Sequence, residues 1–377
     1  MLRSPLAFLL LCLAHGAQAA ELLVYLLAGQ SNMEGQAEVA TRNRTTGAYL
    51  NGTLAYQLTD PRTAAAFSPL WDAATQNWTV WEGVKVWYNE CPGVTGQNGS
   101  AIPSSPGQAT FGSLSVGFGW EGQGNLIGPE LGFGYGMQLA APGQPLLIVK
   151  TAWGGKTLAG DFRPPSSAAS PDVFCTTPAC AAVGHYYSVM IQDMHKMLAP
   201  GAIGAMFPSL AGLTPRLAGF GWFQGYNDGC DLNQTAAYES NLVNLVKDLR
   251  AEFASPALPF AIPVAGFNGF NGAERTRHPA SATPWVDMAP ADKIGTDCTV
   301  DHGCRRLDIV LSQFAAANAT RHPELGGHVA AMETRGFWRD PLYSPNQAQG
   351  YHYWHNAETY FLVGKAMAEG MLLATKV

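Results

Sequence analysis

Five short apolar runs recur along the chain, at residues 22–28, 145–151, 217–223, 259–265 and 328–332. Most are apolar throughout rather than alternating, and most are bounded by Gly or Pro. That is the pattern of parallel strands covered on both faces. Helical periodicity fills the spaces between them. Residues 235–253 give the clearest case, with Leu242, Leu245, Val246, Leu249 and Phe253 on one helical face. Further helices are predicted at 129–140, 186–198, 307–319 and 358–373. Strands alternating with helices predict a parallel sheet with helices on both faces. Stretches near 36–124, 159–184 and 268–304 follow neither period. They read as loop-rich insertions decorating a single domain over 20–377, with one strand at 84–88.

Three of the predicted strands run directly into a polar turn that carries glycine. The first turn is Gly29-Gln30-Ser31-Asn32-Met33, the second Ala152-Trp153-Gly154-Gly155-Lys156-Thr157, the third Gln224-Gly225-Tyr226-Asn227-Asp228. Open α/β sheets place their chemistry at the carboxyl ends of strands. Ser31 falls where a helix would begin, beside unpaired backbone N–H groups, which makes it a candidate nucleophile as well as a candidate N-cap. Paired glycines let the backbone N–H of Gly154 or Gly155 come close to a ligand. Gln224 and Asn227 offer side-chain amides, which can donate to an oxyanion. A base would have to be a histidine. His352, in a polar loop before the last helix, is the first candidate and His355 its rival. His328 reads as the start of a strand, and His185, His195, His278, His302 and His322 as surface or loop residues.

Composition narrows the partners. The formal charge is −6, only 13% of residues are charged, and there is no basic cluster. Nucleic acid and anionic membranes are therefore poor partners. The first 19 residues combine a basic start, an apolar core at 6–13 and Ala17-Gln18-Ala19, the pattern of a cleaved secretory signal. No other segment is long and apolar enough to span a bilayer. Asn43, Asn51, Asn77, Asn98, Asn233 and Asn318 each open an N-x-S/T triplet. Beyond Cys12, the cysteines are Cys91, Cys175, Cys180, Cys230, Cys298 and Cys304, an even set that in an exported chain argues for disulfides. Cys175/Cys180 and Cys298/Cys304 would close small loops and Cys91–Cys230 a long one, although the sequence leaves the pairing open. Paired C-x-x-C spacing, the sign of a zinc site, is missing.

Taken together, these blocks resemble the SGNH hydrolases, and more closely the sialate O-acetylesterase-like (SASA) carbohydrate esterases. Ile127-Gly128-Pro129-Glu130-Leu131, Lys150 to Lys156, Trp222 to Gly225 and Tyr351-His352-Tyr353 with Asn356-Ala357-Glu358 carry the resemblance alongside the three turns. It implies a three-layer α/β/α sandwich around a mainly parallel sheet, and an O-acetylesterase that uses a Ser–His acyl-enzyme mechanism on an acetylated carbohydrate; the leader pattern adds that this one is secreted. Carried across, Ser31 is the nucleophile and His352 the base. The oxyanion donors are the N–H of Ser31, the N–H of Gly155 or Gly154, and an amide of Asn227 or Gln224. No metal or organic cofactor is implied, and nothing is implied about oligomeric state.

The chain departs from the family pattern at two acidic positions. Gln349 stands where many members have the Asp three residues before the histidine, and Tyr226 where many have a Glu in the third block. Asp228 becomes the first candidate for the acid of the triad, followed by Asp340 or a backbone carbonyl. These departures keep open a glycan-binding protein without catalysis, and a short-chain lipase or thioesterase is the third reading. Trp71, Trp78, Trp81 and Trp87 are candidates for stacking on sugar rings or for packing the first insertion. Lys156, Arg163 and Arg335 are candidates for meeting an acidic sugar.

Overall fold

A computed structural model describes residues 20–90, 109–120, 124–167, 183–267, 269–270 and 303–376. The strands are β1 (Glu21–Gly29), β2 (Ala37–Glu38), β3 (Trp71–Asp72), β4 (Asn77–Trp78), β5 (Trp81–Asn89), β6 (Ala109–Leu114), β7 (Leu126–Ile127), β8 (Leu146–Ala152), β9 (Thr214–Phe223), β10 (Phe260–Pro263) and β11 (Val329–Met332). The helices are α1 (Ser31–Glu34), α2 (Leu54–Gln57), α3 (Ala64–Phe67), α4 (Pro129–Ala140), α5 (His185–Leu198), α6 (Ala202–Met206), α7 (Leu232–Glu252), α8 (Gly303–Ala316) and α9 (Ala357–Thr375).

Seven strands form the central sheet in the order β11-β10-β9-β1-β8-β5-β6, parallel except for the antiparallel edge pair β5–β6. Two short ribbons, β2–β7 and β3–β4, lie outside it. The α/β/α expectation is met. On β9 the side chains alternate between faces. Gly219 and Gly221 lie under Met371 and Met367 of α9, while Trp222 donates from Nε1 to the Tyr238 hydroxyl of α7. Helices therefore cover both sides. Close packing of α9 on α4 requires glycine at Gly132 and Gly364, where an added Cβ would stand 2.0 Å from a backbone oxygen of the other helix.

The stretch read as the first insertion supplies two strands of the main sheet. β5 extends the one predicted there. β6, reading Ala-Thr-Phe-Gly-Ser-Leu, mixes glycine and serine into an edge strand that carries no run of buried apolar residues. The predicted signal segment, Asn98, His278, His302, Cys91, Cys175, Cys180 and Cys298 lie outside the described residues, as does the side chain of Cys304. Cys230 is half-buried, with Sγ 3.4 Å from the Tyr226 carbonyl oxygen. Among the described residues no helix is long and apolar enough to cross a membrane.

Strand register brings the three polar turns together. β1 is the point where the strand order reverses, with β8 on one side and β9 on the other. Gly29 pairs with Ala152 of β8 and with Phe223 of β9. The turns therefore leave the sheet at one level, on strands about 4.8 Å apart. This is where an open α/β sheet forms its crevice.

Candidate active site

The first turn begins with a close approach. An added Cβ on Gly29 would stand 2.1 Å from the Phe223 carbonyl oxygen, so only glycine lets β1 turn there. Gln30 then acts as a clasp between strand ends. Its Oε1 accepts from the backbone N–H groups of Gly225 and Asn227, at 3.2 and 3.4 Å, and its Nε2 donates to Asn227 Oδ1 at 2.8 Å. Asn227 is thereby fixed through its oxygen, which leaves the opposite end of its amide as the donor side. Ser31, the first residue of α1, is 8% exposed. From the same helix Glu34 Oε1 accepts the Gly154 N–H at 2.7 Å, which pins the second turn against α1. Gly155 follows in the left-handed region, φ 72°, where a side chain would be strained.

The histidine loop is tied to the same helix. Asn32 Nδ2 donates to the Tyr351 carbonyl oxygen at 2.9 Å, and the Tyr360 hydroxyl donates to Asn32 Oδ1. Residues 353–355 then run through three consecutive left-handed conformations, with φ of 50°, 54° and 60°. Each costs a non-glycine residue about 1–2 kcal/mol. Long-range packing holds them. Tyr353 is 1% exposed and stacks on Phe267 and Phe223, with ring centroids 4.9 and 6.1 Å away, and Trp354 packs edge-on against Trp338. Such strain collects at functional sites. Burial, helped by the neighbouring His355, pulls the His352 imidazole down to about 4. The ring is therefore neutral at ordinary pH.

Ser31, Glu34, Gly154, Gly155, Asn227 and His352 line one cavity of about 540 Å³, with Gln30, Gln36, Trp120, Tyr226, Gln349, Tyr351 and His355 completing the wall. That volume lies within the usual range of small-molecule sites. Over residues 109–296 the sequence matches the family described as "Carbohydrate esterase, sialic acid-specific acetylesterase". The chain belongs to the SASA carbohydrate esterases. The matched span holds the turns after β8 and β9 and stops short of Ser31 and His352. Solved structures similar to this SASA chain include a protein from Arabidopsis thaliana, 12% identical over 93% of this chain and 97% of that one, TM-score 0.49. A carbohydrate acetylesterase from Xanthomonas citri is 14% identical over 80% and 56% of the two chains, TM-score 0.37. A carbohydrate esterase family 2 enzyme with a carbohydrate-binding domain, from Corynascus thermopiles (Myceliophthora fergusii), is 12% identical over 96% and 68%, TM-score 0.35. No curated protein matches the sequence.

Within this esterase several residues are not where the sequence pattern puts them. Gln224 is buried outside the cavity lining, and its Nε2 donates to the Lys156 carbonyl oxygen and to Asp228 Oδ2. Its amide is spent on the loop and does not face an oxyanion. The Gly154 N–H is likewise taken by Glu34. Asp228 does not orient His352. Its carboxylate, fully buried, accepts from the backbone N–H groups of Leu158 and Ala159 at 2.9 Å each, and from Gln224. Burial pushes its carboxyl up to about 6, against the pull of those bonds. Asp340 caps the turn at Pro341–Tyr343 by accepting from the Leu342 N–H, away from the cavity lining.

The Asp228 geometry makes a prediction. Asn at this position keeps one acceptor and turns an NH₂ toward a donor. Asp228→Asn should destabilise the fold by roughly 2–4 kcal/mol while the folded fraction keeps its activity within about tenfold. Urea unfolding alongside kcat measures both. A loss of activity of four orders at unchanged stability would return Asp228 to the chemistry.

Basic residues proposed for an acidic sugar are engaged elsewhere. Lys156 Nζ lies 4.5 Å over the Tyr186 ring, Arg163 donates to the Ala159 carbonyl oxygen, and Arg335 forks onto Glu333. The four early tryptophans pack. Trp71 meets Trp78 edge to face, Trp81 meets Tyr135, and Trp87 is buried. The aromatic residues at the cavity are instead Trp120, 41% exposed, and Tyr351, 37% exposed, with Tyr226 between the Phe267 and Tyr351 rings. Trp120 carried no sequence signal, because it follows a Gly-Phe-Gly stretch outside any predicted element. Glu34 and Gln30 flank Ser31 in the first turn, and their bracing roles depend on the neighbouring strands.

Proposed function

We propose that this chain is a secreted carbohydrate O-acetylesterase in which Ser31 and His352 form and hydrolyse an acetyl-enzyme. One observation carries the reading: Ser31, His352, Gly155 and Asn227, from four separate segments, line one cavity at the strand ends. His352 Nε2 takes the Ser31 proton as Oγ bonds to the acetyl carbon. The carbonyl oxygen gains negative charge, which the N–H groups of Ser31 and Gly155 and the Asn227 amide stabilise. The acetyl–oxygen bond to the sugar then breaks as the leaving oxygen takes the proton from His352. Water, deprotonated by the same ring, releases acetate and restores Ser31. Trp120 and Tyr351 supply apolar faces with polar edges, the surface a sugar ring stacks on. Export is supported by the leader pattern. It is also supported by the exposure of Asn43, Asn51, Asn77, Asn233 and Asn318, five of the N-x-S/T asparagines.

Hydrolysis of p-nitrophenyl esters and of acetylated glycans tests the reading. Turnover should be greatest with acetate and fall steeply at butyrate and beyond. Activity should also persist to unusually low pH. The imidazole accepts a proton only when neutral, and its lowered pKa keeps it neutral down to about 4. The acid limb of kcat/KM should therefore lie near pH 4 rather than at the usual histidine value. Binding of glycans with no turnover of any ester would support the glycan-binding alternative.

A further inference from the structure

The position that would hold a triad acid is occupied by Gln349, whose surroundings contain a carboxylate one ring further out. Gln349 Oε1 lies 3.3 Å from His352 Nδ1 and 2.5 Å from His355 Nε2. On its other edge His355 Nδ1 lies 3.2 Å from Glu38 Oε1. Glu38 and His355 are both largely buried, their side chains 18% and 14% exposed. The left-handed turn at 353–355 brings both rings onto one amide. Burial works against ionising Glu38, yet bonds from His355 and Thr41 hold its carboxyl below the usual range.

Resting on the Ser31–His352 reading, we infer that Gln349, oriented by the His355–Glu38 pair, is the positioning residue that replaces the missing acid. The logic is one of donors and acceptors. A Glu38 carboxylate accepts only, so His355 must present an N–H from Nδ1. Gln349 turns its amide oxygen, an acceptor only, to both rings, so His355 presents an N–H from Nε2 as well. That oxygen has a second lone pair and accepts the Nδ1–H of His352. The His352 proton is then fixed on Nδ1 and Nε2 keeps its lone pair toward the cavity, the tautomer a base needs. When Nε2 takes the Ser31 proton, Nδ1–H remains on Gln349, and no proton travels to Glu38. The other titratable groups facing this cavity are Glu34 of α1, Tyr226 after β9 and Tyr351 beside His352. The Tyr360 hydroxyl of α9, whose proton goes to Asn32 Oδ1, lies 3.3 Å from the His352 carbonyl oxygen.

Nitrogen-15 NMR of labelled histidines, with kcat and KM for p-nitrophenyl acetate, tests the assignment on the full chain. Wild-type His352 should carry its proton on Nδ1 from pH 5 to 8. Gln349→Met should mix the two tautomers and lower kcat about 10–100-fold, with KM within about threefold. Gln349→Glu should restore the single tautomer and keep kcat within about threefold of wild type. It should also raise the acid limb by at least about one pH unit, because a carboxylate favours the imidazolium. Glu38→Gln should act in the direction of Gln349→Met, more weakly. A wild-type proton on Nε2, or a Gln349→Met variant with wild-type tautomer and kcat, would overturn the inference. The tautomer needs no turnover to be read. A wild-type chain without esterase activity would thus refute the enzyme reading and leave the positioning claim to be decided by the spectra.

Discussion

Ser31→Ala should lower p-nitrophenyl acetate hydrolysis by about 10⁴–10⁶-fold and leave the far-ultraviolet circular dichroism unchanged. The size follows from the role. Removing the nucleophile abolishes the acyl-enzyme route, and the residual rate comes from oxyanion donors acting on attacking water. The structure explains why the fold should survive. The Ser31 carbonyl, not its side chain, caps the end of α1 by accepting from the Gly35 N–H, and the turn is clasped by Gln30, Asn32 and Glu34. Mass spectrometry after brief exposure to substrate should find acetyl on residue 31 in the wild type and not in the variant. Retention of more than about a hundredth of the activity would remove Ser31 from the mechanism.

Lys150→Met should cost about 3–5 kcal/mol, the largest stability effect expected of a single change in this chain. Lys150 is wholly buried on β8. Its Nζ donates to the carbonyl oxygens of Glu34 and Phe118 at 2.6 and 2.5 Å and to Glu130 Oε2 at 2.8 Å. All three ammonium protons are used. Glu130, equally buried, also accepts the Gly128 N–H at 2.8 Å. The variant leaves a carboxylate without its counter-charge and two carbonyls without a donor. Adding Glu130→Gln should recover part of the loss, since the amide oxygen can still accept from Gly128 while the unpaired charge is gone. Melting should drop by about 5–10 °C in the single variant and less in the double. A single variant as stable as the wild type would show that the pair contributes nothing net. The pair also holds the end of α1, so Lys150→Met should loosen the Ser31 turn before the molecule unfolds.

Much of this architecture is legible before any coordinates. The helix predicted at 129–140 is α4 to the residue, because Pro at its start and an apolar face suffice to define it. Buried strands announce themselves through unbroken apolar runs. The polar turns stand out because polar residues with glycine directly after a buried strand have no packing reason to be there. β6 stayed hidden because an exposed edge strand needs neither alternation nor apolarity. Asp228 was misread for a different reason. Its position in the third turn is correct, but the turn alone does not say which way a carboxylate faces, and here the loop at 158–159 claims both oxygens.

Local sequence determined the buried parallel strands, the rank of glycine-bearing turns at their carboxyl ends, and therefore the candidacy of Ser31, Gly155 and Asn227. The tertiary structure decided what stands behind His352. Glu38 and His355 are 317 positions apart, and they meet through a two-residue ribbon and a left-handed turn, neither of which local propensity favours. Both conformations exist because distant packing, Tyr353 among its aromatic neighbours and Asn32 on the Tyr351 carbonyl, makes every alternative worse. A conformation stabilised only by long-range contacts leaves no local pattern to read.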